Sequence, residues 1–277
     1  MNSVIAPTAS GWHAELELGF EARPGAGEAR TALVHRRRRG PLSVQRVLYP
    51  EGGVAHVYLL HPPGGVVGGD RLDVHVEVAG GHALLTTPGA TKFYRSAGQY
   101  AHQNQHLRVA AGAVLEWLPQ ETILFADALL RAKTRIDLAG DARIAAWDIQ
   151  CFGRPTNSET LGRGRADLAF ELWRDGAPVL LERLRVQPDT LNRKALLAGA
   201  PVTGVCVLSH ADAAAEALAR ETLNADGFGL TRIDDLLICR YLGASTEFAQ
   251  RGFRALWRTL RPLTIGRAPS PPRIWST

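Results

Sequence analysis

The chain has 277 residues, 45% of them hydrophobic, and carries 32 Lys plus Arg against 27 Asp plus Glu for a net charge of +5. This length and apolar content exclude a disordered or fibrous protein and allow one extended domain, or a large domain with a small appendage. There is no uninterrupted apolar run long enough to span a bilayer, and Met1 to Ser10 lacks the basic start and apolar centre of a secretory signal. Cys151, Cys206 and Cys239 are widely spaced and odd in number, so buried reduced thiols and a cytoplasmic location are expected.

In chain order, the first charge block is Arg36-Arg37-Arg38-Arg39, which reads as a loop before Gly40-Pro41, solvated or facing an acidic protein partner. The remaining arginines are dispersed and only 7% of the residues are aromatic, which argues against a nucleic-acid surface. Alternation of apolar and polar residues dominates from 12 to 208. Leu72 to Val78 and Leu130 to Leu138 alternate without a fault, the pattern of strands with one buried face. Further strands are expected at 42–49, 54–60, 82–87, 105–110, 113–118, 142–152, 165–173, 179–187 and 201–208, separated by turns such as Ala79-Gly80-Gly81 and Asp175-Gly176. The result is an all-β core over 1–208; periodicity alone leaves sandwich, barrel and stacked β-helix open.

Between two of these strands lies His61-Pro62-Pro63-Gly64-Gly65-Val66-Val67-Gly68-Gly69-Asp70. Its glycines and prolines predict two tight turns that need positive φ or close backbone approach. Gly64, Gly65, Gly68 and Gly69 shape the loop, and His61 supports it or serves as a ligand or base. Lys92, in Thr91-Lys92-Phe93-Tyr94-Arg95, is a candidate anion contact, part of a polar path, or an ordinary surface charge.

Two carboxylates point where apolar residues are expected. Glu182 is in phase with Leu180, Leu184 and Val186, and Asp148 with Ile144, Ala146, Gln150 and Phe152. An acid on an apolar face must be paired, hydrogen-bonded, hydrated or metal-bound. A buried ion pair with arginine, or a slip of one residue in the face assignment, competes with a polar interior path for a divalent ion. His102 and His106 fall on a strand entry, as two polar residues on one side rather than a metal pair.

After Ser209 the pattern changes. Residues 210–223 are expected to be helical behind a cap in Ser209-His210-Ala211-Asp212, 236–242 to be a strand, and a second helix to run from Thr246 until Pro262. This makes 209–277 a helix-strand-helix subdomain with an irregular tail. Ala249, Phe253, Leu256, Trp257 and Leu260 form the apolar face of the second helix. Arg251, Arg254, Arg258 and Arg261 form a basic stripe opposite, either solvated or docked on a partner. Trp275, in the tail, is read as ordered by a partner.

No Gly-x-Ser-x-Gly elbow, Walker loop, Cys-x-x-Cys or hydrolytic zinc motif is present. A β-structured enzyme using Asp70, His61 and Glu182 as an acid–base set is the rival reading, and it requires those three in one open cleft.

The glycine loop, together with Gly11-Trp12-His13-Ala14, Gly40-Pro41-Leu42, Leu48-Tyr49-Pro50-Glu51-Gly52, Leu118-Pro119-Gln120-Glu121-Thr122-Ile123 and Gly153-Arg154, resembles the urease accessory proteins called UreD or UreH. The last third of the chain matches that family mainly in layout. The resemblance implies a mainly β, stacked, β-helix-like core with a small C-terminal α/β appendage of two helices. It also implies a non-catalytic metallochaperone scaffold that binds urease apoprotein and recruits UreF and, through it, the GTPase UreG. Nickel would be cargo in transit rather than a held cofactor. A water-filled passage through the core would be lined by acids corresponding to Asp70, Asp148 and Glu182. No nucleic acid or membrane is implied as a partner.

Overall fold

The computed structural model describes residues 11–25 and 27–276. The chain forms β1 (His13–Arg23), β2 (Arg30–Arg39), β3 (Ser43–Val44), β4 (Ala55–Leu60), β5 (Arg71–Val78), β6 (His82–Thr86), β7 (Thr91–Phe93), β8 (Ala101–Val109) and β9 (Val114–Trp117). It continues through β10 (Thr122–Leu124), β11 (Leu129–Leu138), β12 (Arg143–Arg154), β13 (Glu159–Thr160), β14 (Arg165–Arg174), β15 (Ala177–Val186) and β16 (Val202–Leu208). Helix α1 (Ala213–Thr222), β17 (Phe228–Ile233), β18 (Leu236–Gly243) and helix α2 (Thr246–Thr264) complete it. The fold is mainly β with two C-terminal helices, as the alternation and the closing helical periods imply.

Successive strands pass back and forth between two extended, open sheets. The first sheet runs β15-β14-β11-β8-β5-β1-β2, and the second runs β17-β18-β16-β12-β9-β6-β4-β3, with β7, β10 and β13 branching beside β12. Inner strands of both sheets stack in parallel, each reached by crossing from the other sheet. The side chains between the sheets form the larger core. At one end it is apolar, with Val76, Val78, Leu107, Val109, Ile136, Ile144, Val207 and Ile238. At the end nearer the glycine loop the same strand faces carry Gln103, Gln105, Asp148, Gln150 and Arg240.

A second core lies on the far side of the second sheet. There Trp147, Ile149, Cys206, Leu208, Leu237, Cys239 and Tyr241 meet Phe253, Leu256, Trp257 and Leu260 of α2. Each fully buried large side chain contributes about 1.5–3 kcal/mol, so this face fixes α2 far more firmly than helix propensity does. Ser245 caps α2, its Oγ accepting from Phe248 N–H at 3.1 Å. Pro262 does not stop the helix: it is exposed in the last turn, and the helix runs to Thr264, with Gly266 at φ +81° just past the Ile265 cap. Helix α1 is capped by Asp212, which accepts from Ala215 N–H at 2.8 Å. Ser209 instead receives Ile144 N–H at 2.9 Å.

The arginine block is not a loop. Arg36 to Arg39 are strand residues of β2, paired in antiparallel register with β1, and Glu15 and Glu17 of β1 supply the opposing charge. The hydrogen bond from Arg37 holds the Glu17 carboxyl down to about 2. The acidic partner of this block therefore includes the chain's own neighbouring strand.

Candidate functional site

The loop between β4 and β5 is a rigid object. Gly64 and Gly69 have φ +78° and +94°, and a Cβ at Gly65 or Gly68 would overlap the Tyr94 ring or Ser96 Oγ and the Gln99 carbonyl. Val66 N–H donates to the Lys92 carbonyl and Tyr94 N–H to the Val66 carbonyl, both at 2.8 Å, so the loop is stitched to β7. Asp70 accepts from Trp12 N–H at 2.8 Å and Val67 N–H at 2.9 Å, tying the entry of β1 to the loop. The His61 carbonyl accepts from Gly64 N–H at 3.2 Å.

Three cavities lie in series from this loop, through the space between the sheets, to the sheet edges. The first, about 310 Å³, is lined by Trp12, Pro41, His61, Gly65, Gly68 and Asp70. The next, about 60 Å³, shares His61 and Leu72 with it and adds Gln103, Gln105, Thr122 and Asp148. The third, about 90 Å³, shares Asp148 with the second and adds Gln150, Thr203, Glu182 and Arg240. Each exceeds the roughly 10–15 Å³ needed for one water. Two residues, His61 and Asp148, thus link the glycine loop to the edge of the sheets.

Asp148 is the chemically distinctive member. Its side chain borders cavity space yet is surrounded by protein, and burial pushes its pKa up to about 6, against hydrogen bonds from Gln150 and the Ile149 backbone. Gln150 Nε2 donates to Oδ1 at 2.7 Å. Among the described residues no cation pairs with Asp148, and the side-chain oxygens of Gln103 and Gln150 are buried without a hydrogen-bond partner. Carboxylate and amide oxygens with spare lone pairs suit water or a hard or borderline divalent cation. Glu182 differs: it is part-exposed and accepts from Arg240 Nε at 2.8 Å and from its terminal nitrogen. One acid expected on the inner face is therefore ion-paired, whereas the other is without a counter-ion.

His61 is half-buried, and burial lowers its pKa against the opposing charge of Asp70, which favours the neutral, ligating imidazole. His61 and Asp70 share the first cavity while Glu182 lines the third, so the three do not form one acid–base cleft. Lys92 is exposed and lines none of these cavities. His102 and His106 are strand residues of β8, with His106 Nε2 2.6 Å from Asp137 Oδ2. Among the described residues no cluster of three or more His, Cys, Asp or Glu is arranged to hold a metal ion. All three cysteines are buried and free; burial pushes the Cys151 and Cys239 thiols up to about 12.

The basic stripe of α2 divides. Arg251 and Arg258 are exposed, but Arg254 donates to Gln120 Oε1 at 3.1 Å and stacks on Trp275, and Arg261 is fully buried. Trp275 is ordered by the chain itself. Its ring lies 5.6 Å from Trp147 and 5.4 Å from Trp257, and its N–H donates to Thr86 Oγ1 at 3.2 Å.

Residues 13–276 match the family model described as UreD urease accessory protein. The chain belongs to that family. It is 45% identical to the urease accessory protein UreD of Alcanivorax borkumensis, over 100% of this chain and 96% of that protein. With UreD of Dechloromonas aromatica the identity is 48%, over 96% and 95%. With UreD of Escherichia coli it is 41%, over 97% and 98%. The interior also holds an acid that sequence reading misses, Glu116. It is fully buried, with His82 Nε2 at 2.6 Å and Arg261 at 2.8 Å, and it also accepts from Trp257. Arg261 reaches on to Glu51 at 2.7 Å, and Glu51 to His56 at 2.7 Å. Burial pushes Glu116 up, but His82 and Arg261 outweigh it and bring its pKa down to about 2. Unlike Asp148, this acid is fully compensated and reads as a fastener for α2. Its signal, an acid at the third position of Val114-Leu115-Glu116-Trp117, is too short to phase.

Proposed function

We propose that this chain is a non-catalytic scaffold in urease maturation that binds urease apoprotein, recruits UreF and through it the GTPase UreG, and conducts nickel toward the urease active site. Membership of the UreD urease accessory protein family supports the maturation role. The observation that carries the conducting role is the series of cavities joined by His61 and Asp148, with an uncompensated carboxylate and two unpartnered amide oxygens along it. Weak oxygen donors pass on a borderline cation that buried thiolates would trap. Nickel is cargo here, handed from residue to residue, and no resident cofactor is required. Among the described residues no helix is long and apolar enough to cross a membrane.

The test is the nickel content and ureolytic activity of urease purified from cells expressing the whole urease cluster with or without this chain. Nickel-poor, inactive urease in its absence is expected, restored by the native chain and less well by Asp148→Ala at equal complex yield. Normal nickel loading without the chain would overturn the assignment.

A further inference from the structure

The third cavity lies between two sheet edges. Glu182 belongs to β15, at the edge of the first sheet, and Arg240 to β18, near the edge of the second. Their ion pair bridges the sheets at the cavity that Asp148 also lines, with the Glu182 and Arg240 side chains 29% and 45% exposed. Behind the pair, Gln150 is 6% exposed and its Oε1 has no partner. The cavity therefore holds two carboxylates, a spare buried amide oxygen and a single guanidinium, which engages only one of the acids.

We propose that Asp148, Glu182 and Gln150 form a divalent-cation station at the end of the path, and that Arg240 is its competitor, occupying Glu182 until an arriving cation displaces it. This rests on the conducting role proposed above and assigns its control to a residue outside the carboxylate set.

The electrostatics set the direction. A divalent cation beside Asp148 and Glu182 is neutralised by the two carboxylates, and it repels the guanidinium that shares the second of them. Arg240 is half in solvent, so it can swing outward without leaving a buried charge, whereas the fully buried Arg261 could not. A part-exposed pair is also weak enough to be displaced. Arginine suits the task because it stays charged at any working pH. Its release and return would make passage depend on cation arrival.

Equilibrium dialysis of the purified full chain against nickel tests this. Arg240→Met is expected to bind about two- to five-fold tighter than the native chain, with Arg240→Lys between them. Asp148→Asn should weaken binding in both the native and Arg240→Met backgrounds. Equal affinity of the native chain and Arg240→Met, with the Asp148→Asn loss intact, would overturn the competitor role and leave the path standing. No effect of Asp148→Asn in either background would remove the path itself. If Arg240→Met fails to fold, Glu182→Gln substitutes for it. That variant must bind nickel more weakly, because a ligand is lost and Arg240 is left in place; unchanged binding would overturn the proposal equally.

Discussion

Replacing Asp148 by Asn should make the folded protein more stable at neutral pH. An Asp whose folded-state pKa lies above its unfolded value holds its proton more tightly when folded. Folding then loses stability as pH rises from the unfolded pKa of 3.8 to the folded pKa of about 6, and the full penalty persists above it. That interval corresponds to about 3 kcal/mol, an upper bound because the carboxylate borders cavity space that water can enter. Asn keeps an acceptor for Gln150 Nε2 at the same place and removes the charge. A gain of about 1–3 kcal/mol at pH 7.5 is therefore expected, shrinking to nothing near pH 4. Urea unfolding followed by tryptophan fluorescence at stepped pH measures it, since Trp147 lies on the same strand. No gain at pH 7.5, or a gain unchanged at pH 4, would refute the reasoning. The same variant should deliver less nickel, the usual pattern when a destabilising group is kept for function.

Arg261→Met should destabilise by about 3–5 kcal/mol, because Glu51 and the fully buried Glu116 both lose their guanidinium, leaving Glu116 only His82 and the Trp257 N–H; urea unfolding at neutral pH reads it, and a loss under 1 kcal/mol would contradict the fastener role. Glu116 has a folded pKa of about 2, below its ordinary 4.5, so its contribution is complete above pH 4.5 and lost as pH falls toward 2; Glu116→Gln should abolish that part of the acid dependence. Gly65→Ala should cost about 1–3 kcal/mol through overlap with the Tyr94 ring, and Tyr94→Ala in the same chain should recover part of it, a coupling that a double-mutant cycle measures. Trp275→Ala should lower stability by about 1–3 kcal/mol, through lost packing on Trp147 and Trp257; no change would mean the tail is not part of the second core.

The sequence made the strands legible where one face is wet and the other dry, as in β5 and β11, because alternation reports burial directly. β1 alternates as well, with Ala14, Leu16, Leu18 and Phe20 buried, so it was equally readable although absent from the expected strands. β2 was hidden because four identical arginines carry no period, and their counter-charges sit on another strand. The α2 stripe was misjudged for a related reason: helical phase shows which residues share a side, not which of them reach a buried acid. Arg261 lies beside the apolar arc and meets Glu51, distant in sequence. Gln103 and Gln105 were readable in principle, since they are in phase with Leu107 and Val109, yet a strand started at 105 loses that evidence. Partnerships between sheets, such as Glu182 with Arg240, are set by tertiary packing and leave no local signal.

Two carboxylates between the sheets and beneath α2, Asp148 and Glu116, contrast in how the fold compensates them. Glu116 and Asp148 both sit where an apolar side chain would be cheaper, yet the fold treats them oppositely. Around Glu116 it gathers an arginine, a histidine and an indole N–H, and the carboxyl is held ionised to about pH 2. Asp148 receives the Gln150 amide and the Ile149 N–H, no cation among the described residues, and a pKa of about 6. Nothing in the composition forced this difference, because the chain is rich in arginine and places one, Arg240, in the same cavity. That arginine binds Glu182 instead. A stabilising role would call for the pairing that Glu116 has; Asp148, without a counter-ion and beside unpartnered amide oxygens, is instead open to water or to the cation of the proposed path. Charge compensation rather than burial is thus what separates these two carboxylates.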